Sequence, residues 1–108
     1  MYEYKATIIK IYDADTVTAL VQVGFNVSVT EKLRLSGINA PELRGDERPD
    51  GLISRDRLRE RLLNKEVIIK TFKDKKGKYG RYIAEIFLEE ENINEWLVTE
   101  GLAIKKEY

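Results

Sequence analysis

The sequence predicts one α+β domain, a small five-stranded β-barrel with two or three short helices packed on it. Runs rich in β-branched and aromatic residues recur in the order three strands, helix, two strands, helix. Gly, Asn and Asp mark the breaks between them. No repeat, linker or low-complexity tract divides the chain, so residues 1–108 read as a single domain. That strand order suits the five-stranded OB-fold, whose faces often bind nucleic acids.

Each element has its own signal. Residues 4–12 hold Tyr4, Ile8, Ile9 and Ile11 and read as a strand. Residues 16–23 alternate around Val17, Val21 and Val23, a second strand. Gly24-Phe25-Asn26 is a turn. Residues 27–35 form the third strand, with Val27, Val29, Leu33 and Leu35 on one side. Residues 37–51 hold both prolines and read as a long loop, a place where function often resides. Asp50 or Ser54 caps a helix running to about residue 63, with Leu52, Leu58, Leu62 and Leu63 on its buried side. Its charged segment, residues 55–61, reads as a solvated face. Residues 66–72 form a fourth strand and residues 73–79 a basic turn. Residues 81–88 form a fifth strand with Ile83 and Phe87 in the core. Residues 93–100 form a helix holding Trp96 and closed by Gly101.

Composition narrows the chemistry. The chain has no Cys and no His. That removes disulfides, thiolate nucleophiles, Ser-His catalysis and the usual zinc, copper and iron ligands. Oxygen ligands remain, and they favour Ca²⁺, Mg²⁺ or Mn²⁺. Formal net charge is +0, from 19 basic and 19 acidic residues, so strong non-specific affinity for nucleic acid is not expected. The charge is unevenly spread, however. Six basic residues against one acid occupy 70–81, and five glutamates without a base occupy 85–95. Such separation can attract a polyanion to one side.

Four short motifs follow one another: Asp13-Ala14-Asp15-Thr16, Arg34-Leu35, Asn39-Ala40-Pro41-Glu42 and Lys78-Tyr79-Gly80-Arg81. Asp13 and Asp15 lie two apart and in an extended chain point the same way, a place for a hard cation. The same residues also read as a plain turn. Glu42 near a metal can take a proton from water, or be a solvated loop glutamate. Arg34 and Arg81 carry planar forks that match phosphate oxygens, or serve as rim ion pairs. Tyr79 beside the basic turn fits a backbone-contact patch with one stacking ring.

These motifs, with Leu97-Val98, Gly101 and Leu102-Ala103 near the end, resemble the staphylococcal nuclease family of thermonuclease-like domains over about residues 7–103. The resemblance implies an OB-type barrel and Ca²⁺-dependent hydrolysis of DNA and RNA leaving 3′-phosphate ends. It implies Asp15 as a metal ligand, the Ala40 backbone carbonyl as another, and Asn39 at a position where the secreted nucleases carry a ligating Asp. It makes Glu42 the general base and gives Arg34 and Arg81 the phosphate. Lys78 and Tyr79 seat the nucleotide, with Asp13 and Thr16 supporting Asp15. Asn39 offers an oxygen without charge, so weaker metal affinity is expected. The sequence stops at Tyr108, short of the last tyrosines and helix of the secreted enzymes.

The expected activity is therefore that of a Ca²⁺-dependent nuclease, with Mg²⁺ or Mn²⁺ as substitutes, acting as a monomer on single-stranded DNA or RNA. The alternative is a weakened or inactive module on the same fold that binds nucleic acid or protein. A more distant one is partner binding through the 85–95 glutamates. No membrane segment is expected. The location is cytoplasmic if Met1 is the natural start, and outside the cell if a leader was removed.

Overall fold

The computed structural model describes residues 2–76 and 82–106. The elements are β1 (Tyr2–Asp13), β2 (Thr16–Gly24), β3 (Val27–Leu35), β4 (Ile38–Asn39), a 3-10 turn (Gly45–Glu47), α1 (Arg48–Leu62), β5 (Glu66–Lys76), β6 (Tyr82–Leu88), β7 (Glu91–Asn92), α2 (Ile93–Thr99) and β8 (Ile104–Lys105). The main sheet runs β3-β2-β1-β5-β6-β7. Parallel pairing of Leu33 with Tyr82 and Leu35 with Ala84 joins β3 to β6. That contact closes β1, β2, β3, β5 and β6 into the five-stranded barrel that the strand order predicts, with two helices. A second, small sheet pairs Ile38 with Lys105 and Asn39 with Ile104.

Alternation fills the barrel. Ala6, Ile8, Val17, Ala19, Leu33, Leu35, Val67, Ile69, Ala84 and Ile86 are all buried. In β6 the inward phase differs from the expected one: Ala84 and Ile86 are buried, while Ile83 and Phe87 are only half-buried. A run apolar on both faces leaves the phase undetermined by sequence, and here the pairing of Leu35 with Ala84 sets it. β1 carries an irregularity between Ile8 and Lys10 that shifts its phase, so that Ile9 and Lys10 are both exposed and Ile11 is buried. At that point the connection from α1 docks, with the Asn64 N–H donating to the Ile8 carbonyl at 2.7 Å.

The helix boundaries also differ. α1 begins at Arg48, with Pro49 in its first turn and no side-chain cap. Asp50 and Ser54 therefore lie inside the helix rather than at its cap. Ser54 is buried and its hydroxyl donates to the Leu102 carbonyl at 2.7 Å. The buried side is Gly51, Ser54, Leu58 and Leu62, while Leu63 lies past the end and is exposed. The charged face is not merely solvated. Arg57 and Arg61 stand over the Trp96 ring, and Arg59 donates to the Ile11 carbonyl at 2.9 Å. β5 extends to Lys76, into the stretch expected as a turn.

α2 is capped at both ends by side chain and backbone. Asn92 accepts from the Glu95 N–H at 3.1 Å at its start. At its end, Gly101 N–H bonds Val98 and Leu102 N–H bonds Leu97, a Schellman closure with Gly101 at φ 72°. The 85–95 glutamates are partly engaged: Glu85 accepts from the Asn92 amide, and Glu91 pairs with Arg61. Among the described residues no helix is long and apolar enough to cross a membrane.

Candidate active site

The β1–β2 turn, the end of β3 and the loop after β4 meet at one rim of the barrel. Asp13 closes the turn, its Oδ1 accepting from the Asp15 N–H at 3.0 Å. Asp13 ends β1 and Asp15 lies in the turn that follows, so the two do not share one extended run; the turn is what aims Asp15 inward. Asp15 is 7% exposed. Its Oδ2 accepts from the Ala40 N–H at 2.8 Å, and its Oδ1 from the Thr16 hydroxyl at 3.2 Å. Burial, followed by the neighbouring Asp15 carboxylate, raises the Asp13 carboxyl from 3.8 to about 7.

Arg34 is held by four oxygens. Nη1 donates to the Leu35 carbonyl at 2.7 Å. Nη2 donates to the Ile38 carbonyl at 3.0 Å and Asn39 Oδ1 at 3.3 Å, and lies 3.4 Å from Asp15 Oδ2. Leu33 and Leu35 on either side are buried, so Arg34 faces the other way, as the alternation of β3 requires. Three oxygens of different kinds (a carboxylate, an amide and a peptide carbonyl) thereby surround one cationic nitrogen. Oxygens are the donors a hard cation takes, but here all three are partners of the guanidinium. The set carries one formal negative charge, and among the described residues no group of three or more acidic side chains is placed to hold a metal. Ala40 meets Asp15 through its N–H; the structure gives its carbonyl no role.

Glu42 has other partners than this cluster. Its carboxylate lies 3.5 Å from Arg44, both well exposed, and its N–H donates to Glu47 Oε1 at 2.9 Å. The loop is also tied by Arg48, which donates to the Leu43 carbonyl at 2.7 Å. The geometry thus gathers Asp13, Asp15, Thr16, Arg34, Asn39 and Ala40, and sets Glu42 on the next turn of chain, two residues beyond Ala40. Arg81, Lys78 and Tyr79 lie outside the described residues.

Two supports escape a sequence reading. Asn94, buried at 4% exposure, donates to the Ser36 and Ala84 carbonyls at 2.9 and 3.1 Å and accepts from the Ile86 N–H at 3.2 Å. It thereby anchors the chain just past Arg34 to β6 and α2. An amide on a short helix gives no periodic signal of this. The second is Gly51 in α1, where a glycine inside a helix is itself the signal that something approaches closely.

The fold is a closed OB-type barrel, with Asp15, Asn39 and the Ile38 carbonyl gathered on Arg34 at its rim and an exposed loop glutamate following. Residues 32–108 match the family model described as "Staphylococcal nuclease homologue". The thermonuclease of Staphylococcus hyicus is 31% identical over 104 residues, covering 94% of this chain and 59% of that relative. The chain belongs to the staphylococcal nuclease family. It spans 59% of the length of the curated relative it matches.

Proposed function

We propose that this domain is a Ca²⁺-dependent nuclease that hydrolyses phosphodiester bonds in single-stranded DNA or RNA. The observation that carries the reading is the convergence of Asp15 Oδ2, Asn39 Oδ1 and the Ile38 carbonyl on one nitrogen of Arg34, in a chain of this family. Asp15 and Asn39 would hold the cation, with the Ala40 carbonyl as the family resemblance implies. Mg²⁺ or Mn²⁺ would be the substitutes. The cation, when bound, neutralises phosphate charge and polarises the phosphorus–oxygen bond.

The chain's own groups do the rest. The Glu42 carboxylate accepts a proton from the attacking water as the water oxygen bonds to phosphorus. The bond to the 5′ oxygen of the next nucleotide breaks and that oxygen takes up a proton from solvent, leaving the phosphate on the 3′ side. Arg34 and Arg81 donate N–H groups to the phosphate oxygens, whose charge grows in the transition state. Lys78 and Tyr79 seat the nucleotide, the ring stacking on a base. Thr16 and Asp13 hold Asp15 through the hydroxyl and turn bonds already described.

Glu42→Gln and Arg81→Ala test the assignment. Each is expected to lower kcat by roughly 10²–10³-fold while folded structure is unchanged. Arg81→Ala also weakens substrate binding in a salt-dependent way, whereas Glu42→Gln does not. Full activity in either variant removes that residue from the mechanism. A wild type that binds single strands without cutting them, under any of the three cations, supports the binding-module alternative instead.

A further inference from the structure

Gly51 is the fourth residue of α1, in ordinary helical backbone, where alanine is the better helix former. It is not there for conformation. A Cβ built on it lies 2.4 Å from the Glu42 carbonyl oxygen, 2.9 Å from the Glu42 carbonyl carbon and 3.0 Å from the Pro41 carbonyl oxygen. All three are backbone atoms, which cannot swing aside as a side chain does. Around the other described glycines, Gly24, Gly37, Gly45 and Gly101, that position is open space. The first turn of α1 therefore presses its bare backbone flat against the Pro41–Glu42 segment.

That segment is restrained elsewhere on two sides. Upstream, the Ala40 N–H is fixed to Asp15 Oδ2 at 2.8 Å. Downstream, the Glu42 N–H is fixed to Glu47 Oε1, and the Leu43 carbonyl to Arg48, both from the approach to α1. Gly51 is the third support. It stops the loop from rising toward the helix and sets the distance between α1 and the carbonyls of Pro41 and Glu42.

We propose that Gly51 is a positioning residue for the reaction. Its missing side chain lets α1 serve as the seat that fixes the Glu42 carboxylate and the Ala40 peptide relative to Asp15. The inference rests on the nuclease reading above. Gly51 touches no substrate and acts only through the 40–42 loop. A methyl group there moves the loop by the overlap it creates, and displacements of about 1 Å at a reacting group can cost about 10²-fold in rate.

The test is Gly51→Ala, alone and combined with Glu42→Gln. The alanine is expected to lower kcat by roughly 10–100-fold with KM changed less than about threefold. Thermal stability is expected to move much less than kcat, because alanine favours the helix while the loop gives way. The Ala40 amide proton, watched by NMR, is expected to shift and exchange faster as its bond to Asp15 loosens. In the Glu42→Gln background the alanine is expected to cost much less than in the wild type, because the carboxylate it misplaces no longer works and only the Ala40–Asp15 contact is left to disturb. Wild-type kcat in Gly51→Ala with an unmoved Ala40 amide overturns the inference. So does a kcat loss that persists in full in the Glu42→Gln background, since the effect then bypasses Glu42. Global unfolding of Gly51→Ala also overturns it, because the barrel and not the loop then absorbs the methyl. A wild type without cleavage overturns the nuclease reading itself, and the Ala40 amide of the variant distinguishes that failure from an absence of loop movement.

Discussion

At the scale of single residues, the site is governed by how little charge it contains. Asp15 spends one oxygen on the Ala40 N–H and on Arg34, and the other on Thr16. Asn39 contributes an oxygen but no charge, so a cation competes with Arg34 for one carboxylate. Asp13 behaves differently. Burial, and after it the Asp15 carboxylate, raises its carboxyl to about 7 from 3.8. The folded state then binds a proton that the unfolded chain has already released. The stability this gives is fully present below pH 3.8 and is lost as pH rises toward about 7. In chelated protein, urea midpoints are therefore expected to fall across that window, and Asp13→Asn is expected to flatten the slope. An equal slope in the variant would show that another group titrates there. Arg34 and Asp15 are marked in the sequence by their types and order. Their mutual ion pair is not, since it depends on the curl of residues 35–39, which no local pattern dictates.

At the scale of elements, the strands were largely legible and the boundaries less so. Alternation in β2 and β3 marks both strands and their inward faces. It fails in β6, where Ile83, Ala84, Ile86 and Phe87 offer two apolar phases and the parallel contact with β3 chooses between them. The start of α1 was misplaced because Pro49 at the first turn, rather than a Ser or Asp cap, begins the helix. Arg57, Arg59 and Arg61 read as solvent-facing, yet their long side chains reach Trp96 and Ile11. The β2–β3 hairpin shows a local conflict. Phe25 and Asn26 both take positive φ, 54° and 60°, and Phe25 is 100% exposed. Such turns favour Asn and Gly. Phe25→Asn is expected to stabilise the domain by about 1 kcal/mol, since the left-handed region costs most residues about 1–2 kcal/mol and Asn less. Chemical denaturation checks this, and a loss of stability would mean the exposed ring makes a contact in solution.

At the scale of the whole molecule, one buried amide joins the parts. Asn94 links α2 to β6 and to the chain leaving β3, the strand that carries Arg34. Asn94→Ala removes three hydrogen bonds and leaves the buried Ile86 N–H without a partner. The expected cost is about 3 kcal/mol, a fall in Tm of more than about 10 °C, which calorimetry would detect. A change of under about 1 kcal/mol would show that the link is dispensable. The barrel itself was legible because the order of its strands leaves few ways to close a sheet of this size. The buried knot was not, because a single Asn carries no pattern.

The proposed metal-dependent nuclease activity, built on the oxygen cluster around Arg34, is open to a direct test. Cleavage of single-stranded DNA at low salt, with millimolar Ca²⁺ and then with excess chelator, tests it most directly. Fragments ending in 3′-phosphate are expected with Ca²⁺, and intact DNA with chelator. DNA left intact under Ca²⁺, Mg²⁺ and Mn²⁺ alike, by protein shown to be folded, would contradict the proposal.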